Sequence, residues 1–210
     1  ELPEWLTTMY PEVHHDVQQC MEQGEEGYLI RSLPIGNGVN KNSETNNNAK
    51  IVILASAPAG VLYGAFHLLR YIGTGQPLEQ LMATSRPANR LRMIDHWDNA
   101  DGSIERGYAG QSFLYANHAF TRDWDRLHDY ARLLASTGIN AVAINNVNVH
   151  ATETLFITEA FLPDVAEIAT ILRGYAIRLY LSVNFAAPIE AGGLSTADPL
   201  DEAVRRWWQE

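Results

Sequence analysis

A single cysteine, Cys20, stands in the 210-residue chain, which excludes a disulfide framework and a thiolate metal site. Apolar runs are short, and none approaches the roughly 20 residues needed to cross a bilayer. Positive charge is scarce: 15 Lys and Arg face 25 Asp and Glu, a formal net charge of −10. No Lys/Arg cluster offsets that balance, so neither nucleic acid nor an anionic membrane is expected as a partner. Asn-x-Ser/Thr acceptors are lacking, and no glycine-rich phosphate fingerprint follows a strand, since Gly192-Gly193 has no helix opening directly behind it. Nucleotide binding loses ground, and no cofactor and no metal site are expected. The first residue is Glu1, with no basic and apolar leader before it. Together with the lone cysteine this favours a bacterial-type cytoplasm over secretion. With 46% hydrophobic residues the chain still has ample material for a core.

What is present is concentrated after residue 90. Leu91, Met93 and Ile94 make a short apolar strand that runs into Asp95-His96-Trp97-Asp98-Asn99-Ala100-Asp101-Gly102-Ser103-Ile104-Glu105-Arg106-Gly107-Tyr108-Ala109-Gly110. A rigid strand end followed by carboxylates, aromatics and glycines is how a ligand-binding rim is built. The composition suits a sugar: a Trp face stacks on the apolar face of a pyranose, while Asp, Asn and His bond its hydroxyls. The competing reading is a structural loop in which Trp97 is a half-buried anchor.

The same design returns twice. Trp124 to Ser136 carries one apolar face (Trp124, Leu127, Tyr130, Ala131, Leu134, Ala135), with Thr121 or Asp123 as N-cap and Gly138 as its stop. Ala141 to Ile144 is a short strand ending in Asn145-Asn146-Val147-Asn148. Pro163 to Arg173 predicts a second helix closed by Gly174, and Arg178 to Phe185 a third strand. Strands alternating with helices mean parallel βα units, whose ligands sit at the carboxyl ends of the strands. A (β/α)8 barrel and an open doubly wound sheet both fit. Upstream, Gly27 to Arg31 and Lys50 to Ala55 read as strands, Val39 to Lys50 as an exposed Asn-rich loop, and Ala59 to Ile72 as a helix. His14, His15 and His67 are read as surface or packing residues. Pro87 discourages regular structure, which places a boundary between residues 1–88 and 89–210. The C-terminal Val204 to Glu210 is a helix pattern without a terminator, so a longer parent protein is expected.

Four segments resemble the glycoside hydrolase family 67 α-glucuronidases: Asp95 to Gly110, Tyr130 to Asn140, Ile144 to Asn148, and Ala187 to Leu200. The Ala55 to Leu69 stretch, with Gly60-Val61-Leu62-Tyr63-Gly64, is similar to that family's small α/β domain. The resemblance implies a small N-terminal α/β domain followed by the start of a (β/α)8 TIM barrel, about three of eight βα units. It implies hydrolysis, with inversion, of the α-1,2 bond between (4-O-methyl)glucuronic acid and the terminal xylose of xylo-oligosaccharides, in xylan degradation. The expected partner is thus a glucuronic-acid-substituted xylo-oligosaccharide, and a homodimer of the full-length protein is left open. In that family the acid and base belong to later strands, so no catalytic residue is expected within these 210, and the chain alone is expected to be inactive and aggregation-prone. By motif, Trp97 corresponds to an aromatic wall of the uronic acid subsite and Val147 to an apolar lining residue near the methyl ether. Asp95, His96, Asn99, Asn145 and Asn146 complete the substrate-binding set. Glu105 and Arg106 are expected to brace the loop as an ion pair, Asp198 to cap the last helix, and Glu190 to serve its own loop. A non-catalytic sugar-binding or assembly module, and a hexosaminidase-like glycosidase, are the alternatives.

Overall fold

The structure, a computed structural model, describes residues 4–33, 50–144 and 151–209. It divides into two compact units, residues 1–90 with 135–138, and residues 91–134 with 139–210.

The first unit comprises α1 (Glu4–Met9), α2 (Val13–Glu22), β1 (Tyr28–Leu33), β2 (Lys50–Ala55), α3 (Pro58–Gly73) and β3 (Met82–Ser85). The strands form one antiparallel sheet in the order β2-β1-β3, with Tyr28 opposite Ala55 and Ser85. Strand side chains alternate between faces, and β1 buries both. Leu29 and Leu33 pack with Leu6, Tyr10, Val13 and Cys20 from α1 and α2, while Tyr28 and Ile30 pack with Tyr63 of α3. Arg31 shares the α2 face, where its guanidinium meets the buried Asp16 carboxylate at 2.6 Å. On the opposite face α3 approaches closely because Gly60 and Gly64 have no side chain. A Cβ on Gly60 would lie 2.3 Å from the Gly27 carbonyl oxygen, and one on Gly64 2.5 Å from Ile53 Cγ2. The expected strand over Lys50–Ala55 is present at those bounds, and α3 extends the expected helix by one residue at each end. Residues 39–49 of the expected Asn-rich loop lie outside the described residues.

The second unit comprises β4 (Met93–Asp95), the hairpin β5 (Tyr115–Ala116) and β6 (Ala119–Phe120), α4 (Trp124–Ser136), β7 (Ala141–Ala143), α5 (Ala151–Thr154), a 3-10 turn (Leu155–Ile157), α6 (Leu162–Arg173), β8 (Arg178–Tyr180), α7 (Ala187–Glu190) and α8 (Glu202–Trp207). The strands β4, β7 and β8 pair in parallel and in that order, with Asp95, Ala143 and Tyr180 level at their carboxyl ends. The central β7 is buried throughout, and its Val142 joins Leu127, Ala131 and Leu134 of α4 and Val165, Ile168 and Leu172 of α6 in one core. The edge strands keep exposed apolar side chains, among them Met93, Ile94 and Tyr180. The described strands form small open sheets in a mixed α/β arrangement, and they form no closed barrel among the described residues.

Helix ends explain where the elements stop. Asp123 caps α4, its carboxylate accepting the Arg126 N–H at 3.1 Å. Gly138 adopts φ +81°, and its N–H bonds Ala135 while that of Ile139 bonds Leu134, the paired bonds of a Schellman ending. The other expected stop differs: Gly174 stays right-handed, and the left-handed residue is Ala176 (φ 59°). The Ile177 N–H reaches back to the Leu172 carbonyl, so the turn closes two residues later than glycine alone signals. Asp201 rather than Asp198 caps α8, accepting the Ala203 N–H at 2.7 Å. The Asp198 carboxylate instead accepts the Leu200 N–H, a turn before the helix. The third strand is also shorter than the expected Arg178–Phe185, because pairing with β7 ends at Tyr180.

Candidate functional site

Beyond Asp95, the last residue of the wholly exposed β4, burial alternates from residue to residue. Asp95 and Trp97 face outward, whereas His96 and Asp98 turn into the unit. Trp97 is 39% exposed, and its indole Nε1–H donates to Asp95 Oδ2 at 3.3 Å. A partly exposed indole held by its edge presents a flat apolar face, the geometry that sugar stacking requires.

The inward pair is anchored from three directions. The His96 N–H donates to the Ala143 carbonyl of β7. Its ring lies between Nδ1···Asp98 Oδ1 at 3.1 Å and Nε2···Tyr130 hydroxyl at 2.6 Å. A carboxylate only accepts, so Nδ1 is the donor to Asp98, and Nε2 shares the second bond with the Tyr130 hydroxyl. Asp98 is 4% exposed, and its second oxygen accepts a hydrogen bond from the Ser112 hydroxyl. Burial first, and the Asp98 charge second, push the Tyr130 phenol up to about 12. The same two effects, with Glu153 as a further negative charge, hold the Tyr115 phenol well above its ordinary value. Tyr115 therefore stays protonated and donates to the Ile144 carbonyl at 2.6 Å.

The rest of the loop is closed on itself. The Glu105 N–H donates to the Trp97 carbonyl at 2.9 Å, and Glu105 takes a left-handed φ of 57° to do so. Such a conformation costs a non-glycine residue about 1 kcal/mol, offset here by that bond and by the Asn99 Nδ2 donation to the Glu105 carbonyl at 2.7 Å. Asn99 Nδ2 also donates to the Ser103 hydroxyl, and the Asp101 carboxylate accepts from both the N–H and the hydroxyl of Ser103. From outside the loop, the buried Glu153 carboxylate accepts the Ala100 N–H at 2.8 Å.

The middle domain of glycosyl hydrolase family 67 matches residues 71–210. The chain belongs to that family. An alpha-glucuronidase A of Emericella nidulans is 38% identical over 206 residues, covering 96% of this chain and 22% of the relative. A probable alpha-glucuronidase A of Aspergillus terreus is 43% identical over 166 residues, covering 79% of this chain and 19% of its own. The chain thus spans about a fifth of the length of the curated relatives it matches.

Within this family 67 chain the expected site residues separate into groups. Asp95 and Trp97 come together on the exposed side of the loop. Both ring nitrogens of His96 are engaged by Asp98 and Tyr130, and the Asn99 amide N–H groups are engaged within the loop. Asn145, Asn146 and Val147 lie outside the described residues. Glu105 braces the loop through its backbone N–H and carbonyl, bonded to Trp97 and Asn99, rather than through the expected ion pair with Arg106. Glu190, at the end of α7, accepts from the Thr154 hydroxyl at 3.2 Å and the Asn184 amide at 3.0 Å, the service to its own loop that was expected. Asp98, Ser112, Tyr130 and Glu153 were not singled out from sequence. Asp98 lies in the loop that composition marks, three residues past the end of β4, and Tyr130 on the apolar face of α4, which signals packing rather than a bond to His96.

Proposed function

We propose that the protein is an α-glucuronidase that removes (4-O-methyl)glucuronic acid, α-1,2-linked, from the terminal xylose of xylo-oligosaccharides with inversion, in xylan degradation. The observation that carries this reading is the exposed indole of Trp97 at the carboxyl end of parallel strands, in a chain that belongs to family 67. In this reading β4, β7 and β8 are the first strands of a (β/α)8 barrel, whose ligands gather at that end. Trp97 stacks on the uronic acid ring and Asp95 bonds its hydroxyls. By motif, Asn145, Asn146 and Val147 belong to the same substrate-binding set, with Val147 as the apolar residue for the methyl ether. His96 and Asn99 act by holding the loop.

Inversion needs a carboxylic acid that protonates the leaving oxygen and a carboxylate that takes a proton from water attacking the opposite face, roughly 6.5–9.5 Å apart. Both would lie outside these 210 residues, in keeping with relatives roughly four times as long.

The test uses the full-length protein and 4-O-methylglucuronosyl-xylotriose, followed by proton NMR. Release of free 4-O-methylglucuronic acid, first as the β-anomer, is the expected result. Binding without cleavage would replace this reading with a sugar-binding module, and first appearance of the α-anomer would remove inversion.

A further inference from the structure

Trp97 is flanked in sequence by two residues that the interior of the unit holds. His96 and Asp98 are joined to one another through Nδ1 and Oδ1, and each has a second anchor: Tyr130 for His96 and Ser112 for Asp98. The peptide that carries the indole is therefore pinned on both sides, and its carbonyl is taken by the Glu105 N–H. Tyr130 stands 34 residues away on α4, and its ring packs with those of Phe113 (5.0 Å between centroids) and His96 (5.4 Å). Arg126, one turn earlier on α4, sets its guanidinium 5.5 Å from the Phe113 ring centre. A hydroxyl fixed by two aromatic neighbours and a helix is a rigid reference point for whatever it bonds.

We infer that Tyr130 is a positioning residue for sugar binding: through His96 its hydroxyl fixes the peptide of Trp97 and so the plane of the exposed indole. The inference rests on Trp97 being the stacking wall. The physical link is a short one. Without the hydroxyl, Nε2 of His96 loses its partner in a mostly buried place, and the imidazole is free to tilt toward another acceptor or donor. Its backbone then shifts at the residue next to Trp97. Displacements of about 1 Å in a positioning group cost up to a hundredfold in rate, and a tilt of the ring should cost less. Tyr130 touches no substrate in this arrangement. Its reach to the sugar passes only through the indole.

That last feature gives the test, a double-mutant cycle in the full-length enzyme acting on 4-O-methylglucuronosyl-xylotriose. Tyr130→Phe keeps the ring and removes only the hydroxyl, and kcat/KM should fall about three- to tenfold. Trp97→Ala should lower it about ten- to a hundredfold. The double variant should match Trp97→Ala within about twofold, because a tilted indole cannot matter once it is gone. Losses that multiply instead would overturn the inference, since a general weakening of the fold acts whether or not the indole is there. Unchanged kinetics in Tyr130→Phe would overturn it as well. If Trp97→Ala is itself silent, the stacking wall fails and the inference falls with it, an outcome separate from the other two. Should Tyr130→Phe not fold, Asp98→Asn perturbs the same chain of bonds from its other end and is held to the same cycle.

Discussion

Two glycines of one helix should respond to alanine with opposite signs. Helix propensity alone predicts that Gly→Ala in α3 stabilises, by about 0.4–1 kcal/mol, since alanine loses less backbone entropy on folding. Gly73, the last residue of α3, meets that condition: it is helical and a Cβ there has nothing within 4 Å. At Gly60 the same methyl would stand 2.3 Å from the Gly27 carbonyl oxygen and 2.7 Å from Ala55 Cβ. Neither obstacle is the flexible end of a long side chain. One is backbone and the other is a methyl on β2, so the helix itself must retreat, by roughly 0.7 Å to restore even a 3 Å contact. Overpacking of that kind costs about 1–3 kcal/mol, which exceeds the propensity gain. Gly60→Ala should therefore lose about 1–2 kcal/mol net. For a unit of about 90 residues each kcal/mol moves the midpoint roughly 4–8 °C. Calorimetry of the full-length protein should show the transition of this unit lowered in Gly60→Ala and raised by a few degrees in Gly73→Ala. Stabilisation by both would refute the close approach of α3 to the sheet, and destabilisation by both would refute the position of its end.

Asp98→Asn should lower the melting of the second unit, because two bonds to a buried carboxylate are exchanged for weaker neutral ones at a cost of about 1–3 kcal/mol; an unchanged midpoint would show that the Asp98–His96 bond does not hold the loop. In the same variant the Tyr130 phenol should titrate below about 12, since burial remains but the negative charge is gone, and absorbance at alkaline pH reads this directly. Burial, with Arg70 as the lesser cause, lowers the His67 pKa. The unfolded chain then binds the proton more readily, so this contribution is full above about pH 6.5 and lost as pH falls toward the folded value. His67→Gln should flatten stability against pH in that acid window, and an equally steep curve would count against the burial of His67. Val147→Asn should shift preference away from the 4-O-methylated sugar relative to plain glucuronic acid by roughly tenfold; equal losses on both substrates would mean disturbed packing instead.

The core of the second unit was legible because its helices obey one period. Leu127, Ala131, Leu134 and Ala135 are the buried residues of α4, and the spacing that predicts the helix also predicts its buried face. Likewise Lys50–Ala55 is an uninterrupted β-prone run and stands where expected. Other features lie beyond local pattern. The strands of the β5–β6 hairpin have two residues each, too few to show alternation. The α2 helix did carry a signal, Val13, Val17 and Cys20 on one face, masked by the polar run around His14 and His15. Arg178–Phe185 reads as one strand because its apolar residues continue, yet Phe185 is 83% exposed once pairing has ended at Tyr180. At the candidate site, composition marks a loop but not the side each of its residues faces. His96 and Trp97 are equally suited to a sugar by type. What separates them is the hydroxyl of Tyr130, which draws His96 inward from a helix 34 residues away.

The central claim is that Trp97 faces the sugar rather than the core, and kinetics set beside stability in Trp97→Ala test it most directly. In the full-length enzyme, loss of a stacking wall should cost about 1–3 kcal/mol in transition-state binding, or roughly ten- to a hundredfold in kcat/KM on 4-O-methylglucuronosyl-xylotriose. With the indole partly exposed, the melting temperature should change little. A large fall in melting temperature with unaltered kcat/KM would contradict the account and make Trp97 an anchor of the loop.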